Sequence, residues 1–207
     1  MTRVKICGIN EPAGRDAAIA AGADWLGFVF FPASPRAVGI GQAAALAEGT
    51  PAVGLFVQPT DEDIAAVLAQ VPLEVLQVYA GPERCAAIRA RFGRPVWQSV
   101  GIGSAADLPT EAAGVDGFVI EPRPPPGATR PGGNAVALNW SMLKGWRAPL
   151  PWVLAGGLTA ENVGDAIRAT GAFTVDVSSG VERARGVKDP ALIRAFVAAA
   201  RATTRQP

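Results

Sequence analysis

The residues of this chain that could move a proton are few. Cys7, Tyr79, Glu121 and Asp176 each stand at or near the end of an apolar run of strand length, and Lys5 lies two positions before Cys7. There is no histidine, which removes the commonest general base and the commonest zinc ligand and excludes a Ser-His-Asp triad. Acid–base work must fall to carboxylate, thiol, lysine or tyrosine. A thiolate at Cys7 could take a proton from carbon. Cys7 has two readings. A cysteine ending a strand is commonly inert packing, but a cation nearby lowers a thiol's proton affinity, and Lys5 shares its face. Cys85 falls in a predicted helix, where packing is its expected role.

Two glycine-bearing turns supply the other half of a site. Leu154-Ala-Gly-Gly-Leu158 and Val175-Asp-Val-Ser-Ser-Gly-Val-Glu182 each close an apolar run, with one helical segment between them, about Thr159–Ala169. Small residues let backbone N–H groups close on an anion without side chains in the way. Gly156, Gly157, Ser178, Ser179 and Gly180 are therefore candidate phosphate-binding residues. In a (β/α)₈ barrel the turns after the seventh and eighth strands form the usual phosphate site, so a phosphorylated small molecule is the expected partner.

The elements that must position these groups follow from the pattern. Strands are predicted near Val4–Cys7, Trp25–Phe30, Ala52–Val57, Glu74–Val78, Pro95–Val100, Asp116–Glu121, Trp152–Ala155 and Phe173–Val177. Alanine-rich helical stretches such as Arg15–Ala21, Asp61–Ala69, Glu83–Arg91 and Glu161–Ala169 separate them, and Pro190–Ala200 is the last helix. Alternation of strand and helix implies a parallel sheet. Eight such units predict an α/β fold, a (β/α)₈ TIM barrel spanning residues 1–207 as one domain; an open doubly wound sheet is the competing architecture. No G-x-G-x-x-G opens the first helix, which leaves a dinucleotide fold little support.

Strand side chains alternate between faces. With Val4 and Ile6 toward the helices, Lys5 and Cys7 face the barrel interior; by the same logic Gln77 and Tyr79 share a face, and Glu121, Thr174 and Asp176 point in. Strands one and eight are neighbours in a closed barrel, so Lys5 and Asp176 are placed to form a structural ion pair. The segment Glu121–Asn139 carries five prolines and a Gly132-Gly133 pair. It is predicted as an irregular loop at the catalytic end, either a lid over the substrate or a passive surface loop.

Composition narrows the class. The chain has 207 residues, 49% of them hydrophobic, and a formal net charge of +1. That charge gives no broad attraction to nucleic acid or anionic lipid. No apolar run reaches the length of a membrane span, and Met-Thr-Arg-Val-Lys-Ile-Cys enters a strand with no signal-peptide core. The expectation is a cytoplasmic protein, monomer or homodimer. Two cysteines do not make a disulfide framework or a paired metal motif.

The ordered motifs also carry a resemblance. Val4-Lys-Ile-Cys-Gly-Ile9, Gly27-Phe-Val-Phe-Phe-Pro-Ala-Ser-Pro-Arg36, Val53-Gly-Leu-Phe-Val57, the two glycine turns, Lys188-Asp189 and Ile193-Arg-Ala-Phe196 resemble, nearly end to end, the phosphoribosylanthranilate isomerases of tryptophan biosynthesis. The resemblance implies a (β/α)₈ barrel and a cofactor-free Amadori rearrangement. In it a general acid protonates the ribose ring oxygen, a general base removes the C2′ proton, and the enolamine tautomerises to the ketone. It implies Cys7 as the base, Glu121 in the acid's position, and Arg36 on the anthranilate carboxylate. It also implies an orienting role for Asp176 and a phosphate cradle at the two turns, with Gln77 and Tyr79 beside the substrate. The family's usual aspartate is Glu121 here, its Gln-Leu-His-Gly is Gln77-Val-Tyr-Ala-Gly81, and Leu138-Asn139 replaces Phe-Asp. These departures cluster at one corner of the site. They leave a second reading: a diverged member that binds a phosphorylated ligand or isomerises another sugar phosphate.

Overall fold

A computed structural model of the chain describes residues 1–128, 132 and 137–203. Eight parallel strands close in sequence order: β1 (Arg3–Cys7), β2 (Trp25–Val29), β3 (Ala52–Val57), β4 (Val75–Tyr79), β5 (Val96–Ile102), β6 (Gly117–Pro122), β7 (Trp152–Leu154) and β8 (Thr174–Val177). The seam is the β1–β8 pairing, with Lys5 opposite Asp176 and Ile6 opposite Val177. The eighth strand thus returns to the first, and the open-sheet alternative is excluded.

The α-helices are α1 (Pro12–Ala20), α2 (Ile40–Ala47), α3 (Asp61–Leu68), α4 (Pro82–Phe92), α5 (Val163–Thr170) and α6 (Pro190–Ala202). Local chemistry sets several of their ends. Pro12, Pro82 and Pro190 open helices, where the missing N–H is not needed. Thr60 and Asp63 form a reciprocal capping box at α3, with hydrogen bonds of 3.1 and 2.9 Å. Asp189 accepts from the N–H groups of Ala191 and Leu192 at the start of α6.

Strand–helix alternation is less regular than the sequence pattern implies. After β5 and after β6 the described residues hold only single 3₁₀ turns, Ala105–Asp107 and Trp140–Leu143. Gly103, Pro109 and Gly114 break the first connection, and Gly145, Pro149 and Pro151 follow the second turn, so neither can propagate a helix. A two-stranded hairpin, β9 (Glu182–Ala184) and β10 (Val187–Lys188), also intervenes before α6. Its strands are too short to show in the hydrophobic pattern.

Burial separates two compartments. Val4, Ile6, Phe28, Phe56, Leu76, Phe118 and Phe196 belong to the large core between strands and helices, while Cys7, Val29 and Leu55 cluster inside the barrel. This is the predicted alternation along the first strand. Gly27 is what makes room for it: a Cβ there would stand 3.0 Å from both the Cys7 sulfur and the Lys5 side chain. No helix among the described residues is long and apolar enough to cross a membrane.

Candidate active site

The cavity at the C-terminal ends of the strands encloses about 840 Å³, including its open mouth. Cys7, Arg36, Gln77, Tyr79, Glu121, Gly156, Gly157, Asp176, Ser178 and Ser179 all line it. Of the predicted site residues, Gly180 alone is set back, packed against the Leu158 carbonyl so closely that a Cβ could not fit. Residues separated by more than 170 positions thus converge through the register of one barrel.

Three buried ionic groups define the floor and one wall. Lys5 Nζ lies 2.8 Å from Asp176 Oδ2, with Lys5 fully buried, as expected for a structural pair; the second oxygen of Asp176 has no partner among the described residues. Burial alone would discharge Lys5, but Asp176 and the Cys7 sulfur beside it more than compensate, and its proton affinity is raised. Cys7 departs from the simple expectation. Lys5 does pull its pKa down, as does Lys188, but burial outweighs both and holds the thiol above its ordinary value. A cation nearby is a sequence-level inference; the depth of the pocket is not.

Glu121 is 6% exposed, at the end of β6. Burial raises its pKa to about 8, with the Tyr79 hydroxyl opposing the shift, Asp176 adding to it and Lys5 opposing it. The carboxyl is therefore protonated at neutral pH and can act as a proton donor. Tyr79 is itself raised well above the ordinary phenol value, first by burial and then by Glu121. Gln77 is 1% exposed and donates through Nε2 to Ser99 Oγ at 3.0 Å. Ser99 drew no notice in the sequence; a serine in a strand gives no signal until its neighbours are known.

Arg36 is 4% exposed, and its forked edge is engaged by a protein carboxylate. Nε and Nη2 sit 2.6 and 3.0 Å from the two oxygens of Glu182, a bidentate geometry. Lys188 Nζ, also buried, lies 2.9 Å from the same carboxylate and 2.9 Å from the Ser178 carbonyl. The Ser178 hydroxyl donates to the Cys7 carbonyl at 3.0 Å. The β9–β10 hairpin thus fastens the arginine, the eighth-strand turn and β1 together. Glu182 and Lys188 were visible only as members of motifs. Their burial is the missing fact. Burial disfavours the Glu182 carboxylate, but Arg36 and Lys188 outweigh it and its pKa is lowered; for Lys188, burial prevails over Glu182 and its pKa falls.

The two glycine turns meet where Gly180 packs against the Leu158 carbonyl. Gly156 and Gly157 take positive φ values of 94° and 65°, and Ser179–Val181 forms a 3₁₀ turn. No described residue accepts a hydrogen bond from the N–H groups of Gly157, Ser179 or Gly180. Such a ring of free donors at half-buried backbone is suited to a tetrahedral anion. Of the predicted lid, Thr129–Pro131 and Gly133–Val136 lie outside the described residues. Gly132 lines the cavity, and Ala137 rests against Gly157. Leu138 is buried and Asn139 caps the 3₁₀ turn through Ser141. Cys85 is buried in α4, its thiol raised to about 11 by burial, which fits packing.

Comparison with known proteins gives a consistent result. Residues 4–199 match the sequence model of N-(5′-phosphoribosyl)anthranilate isomerase. The N-(5′-phosphoribosyl)anthranilate isomerase of Acidiphilium cryptum is 58% identical over 204 residues, covering 98% of this chain and 100% of that protein. Among solved structures, monomers of the dimeric phosphoribosylanthranilate isomerase of Thermotoga maritima superpose with a TM-score of 0.82 at 31% identity, covering 97% of this chain and 99% of that one. A phosphoribosylanthranilate isomerase in complex with reduced 1-(o-carboxyphenylamino)-1-deoxyribulose 5-phosphate superposes with a TM-score of 0.80 at 30% identity, with the same coverage. The matches span the whole barrel and both glycine turns, and the chain belongs to the N-(5′-phosphoribosyl)anthranilate isomerase family, enzymes that are intramolecular aldose–ketose oxidoreductases.

Proposed function

We propose that this chain converts N-(5-phosphoribosyl)anthranilate to 1-(2-carboxyphenylamino)-1-deoxyribulose 5-phosphate in tryptophan biosynthesis, with Glu121 as general acid and Cys7 as general base. The observation that carries the residue assignment is the meeting of a protonated carboxyl from β6, a thiol from β1 and an anion-ready pair of turns around one cavity. Family membership supports the reaction.

The phosphate is held by the N–H groups of Gly157, Ser179 and Gly180, with Gly156 and Ser178 shaping the turns. Arg36 meets the anthranilate carboxylate, its guanidinium fixed by Glu182. Glu121 gives its proton to the ribose ring oxygen as the C1′–O bond breaks, leaving an iminium. The Cys7 thiolate removes the C2′ proton, and that bond's electrons form the enolamine double bond. Asp176, with one oxygen on Lys5 and one without a protein partner, orients the sugar. No cofactor is needed, because the electrons released at C2′ are taken up at C1′ of the same molecule.

The protonation states impose a condition. At neutral pH the raised Glu121 pKa keeps the acid loaded, while the raised Cys7 pKa keeps the thiolate a minority form. Turnover then uses a small fraction of correctly charged enzyme.

The decisive experiment is growth rescue of a tryptophan auxotroph lacking the isomerase, paired with an assay on purified protein. Growth and turnover are expected. A folded protein that binds the product analogue yet neither rescues nor turns over would overturn the reading in favour of a binding protein or an isomerase of another sugar phosphate.

A further inference from the structure

We propose that Lys188 is a positioning residue for the ring carboxylate of the substrate, acting through Arg36: its ammonium offsets the Glu182 carboxylate that holds Arg36, and so leaves the guanidinium a positive charge with which to attract an anion. The proposal rests on the placing of the anthranilate carboxylate at Arg36. It gives a task to a buried lysine that the reaction scheme leaves unused.

Fixing a guanidinium with a carboxylate weakens its pull on other anions. Arg36 and Glu182 meet at 2.6 and 3.0 Å, and seen from a few ångströms away such a pair is nearly neutral. Lys188 changes the balance. Its Nζ lies 2.9 Å from Glu182 Oε1, so two cations share one carboxylate and the cluster keeps one net positive charge. The side chains of Glu182 and Lys188 are 4% and 0% exposed, so this charge escapes most of the screening that a surface charge suffers.

Burial lowers the Lys188 pKa, but the hydrogen bonds require the ammonium. Nζ faces three acceptors: Glu182 Oε1 at 2.9 Å, the Ser178 carbonyl at 2.9 Å and Ser178 Oγ at 3.3 Å. The Ser178 hydroxyl spends its own proton on the Cys7 carbonyl, so toward Lys188 it accepts. A neutral amine has two N–H groups and would turn a lone pair on the third oxygen; only the ammonium supplies three donors. Glu182 is saturated in the same way. Oε1 accepts from Arg36 Nε and Lys188, and Oε2 from Arg36 Nη2 and the Gly186 N–H at 3.1 Å. Four donors stabilise the charged form of a carboxylate.

The fold builds space for both cations. The Arg36 stem lies over Gly8, where a Cβ would stand 2.7 Å from Arg36 Cδ. The Lys188 stem lies over Gly14 of α1, where a Cβ would stand 3.0 Å from Lys188 Cβ. Gly186 packs on the Pro35 carbonyl too closely for a side chain, and Asn10 Nδ2 donates to the Gly186 carbonyl at 3.1 Å. The β9–β10 hairpin is thereby tied to the turns after β1 and β2. Arg36 lines the cavity, whereas Glu182 and Lys188 do not, so a ligand feels the lysine through its field and through Arg36.

The neighbouring charges do not duplicate this role. Lys5 is matched by Asp176 at 2.8 Å and Arg123 by Asp107 at 2.7 Å. Arg183 and Arg185, on the same hairpin, are exposed.

The test uses two ligands: reduced 1-(o-carboxyphenylamino)-1-deoxyribulose 5-phosphate and its counterpart with an unsubstituted phenyl ring. Both carry the phosphate, so the ratio of their affinities, measured by calorimetry, isolates the carboxylate. The parent chain should prefer the carboxylated ligand by at least about tenfold. Lys188→Met should cut that preference by about five- to tenfold and leave affinity for the phenyl ligand within about twofold. Adding Glu182→Gln to Lys188→Met leaves Arg36 its own charge, and the preference should return to within about threefold of the parent. If Lys188→Met does not fold, the same charge is read by comparing Glu182→Gln with the double variant, where the preference should be higher with Lys188 present. A parent that binds both ligands equally overturns the placing of the carboxylate at Arg36, and the role of Lys188 with it. A parent that discriminates, with Lys188→Met unchanged, or with a double variant no better than Lys188→Met, or with Glu182→Gln equal to the double variant, overturns the role of Lys188 alone and leaves it a structural tether.

Discussion

Lys5 and Asp176 lie opposite each other at the seam where β8 meets β1, joined at 2.8 Å with Lys5 completely buried. The pair closes the barrel floor directly beneath Cys7. Removing one partner strands a buried charge, which typically costs about 3–5 kcal/mol, whereas replacing both with apolar groups of similar size is often near neutral. Asp176→Leu should therefore unfold at markedly lower denaturant concentration than the parent chain. Lys5→Met combined with Asp176→Leu should recover most of that loss. Equal destabilisation of single and double variants would show that the ionic pairing is not the cause.

Cys7→Ala should lower turnover by about 10²–10⁴-fold, the usual contribution of a positioned base, and leave affinity for a product analogue within a few-fold. Isothermal titration and a steady-state assay on the same preparation separate the two. Normal turnover would remove Cys7 from the chemistry.

Glu121→Gln should lose more activity than Glu121→Asp, because glutamine carries no acidic proton whereas aspartate retains one and gives up about a methylene of reach. A displacement near 1 Å can still cost about 10²-fold, so both variants should fall below the parent. Equal rates would refute a proton-donor role.

The rate should climb with pH while Cys7 ionises, then level off near pH 8 instead of continuing upward. The sign follows from the two shifts. Below about 8 Glu121 stays loaded and each added unit of pH increases the thiolate; above it, loss of the Glu121 proton cancels that gain until the thiol has fully ionised and the rate declines. A log-rate plot with unit slope continuing through pH 9 would contradict the assignment.

Gly157→Ala should raise KM by at least about tenfold with a smaller effect on kcat. The residue holds φ +65°, a conformation that disfavours a side chain, and a Cβ would press on the Ala137 backbone at 2.6 Å. Sulfate or phosphate in a crystal soak should occupy the turns at Gly157 and Ser179. Anion density at another place, or an unchanged KM, would move the phosphate site elsewhere.

The barrel was legible because its signals are local. Runs such as Val53-Gly-Leu-Phe-Val57 announce a strand buried on both faces, and Val4-Lys-Ile-Cys alternates in a way that commits Lys5 and Cys7 to the interior. The glycine turns were legible for the same reason, since conformational freedom and free N–H groups belong to single residues. Strict strand–helix alternation overstated the regularity after β5 and β6, where glycine and proline cut the connections to single 3₁₀ turns.

Amino-acid order alone determined the count of barrel strands, the inward set at the strand ends, and the position of the two glycine turns, each of which follows from spacing within a few residues. Tertiary structure decided which charges neutralise which. Arg36 is held by Glu182, 146 positions away, and burial within the closed barrel raises the Glu121 pKa. It also decided the direction of the Cys7 shift, since the burial that overrides Lys5 comes from strands distant along the chain. Partners and depth of this kind exist only after the eighth strand has returned to the first, because electrostatic energy depends on distance and solvent exclusion in space, and neither is set by separation along the chain.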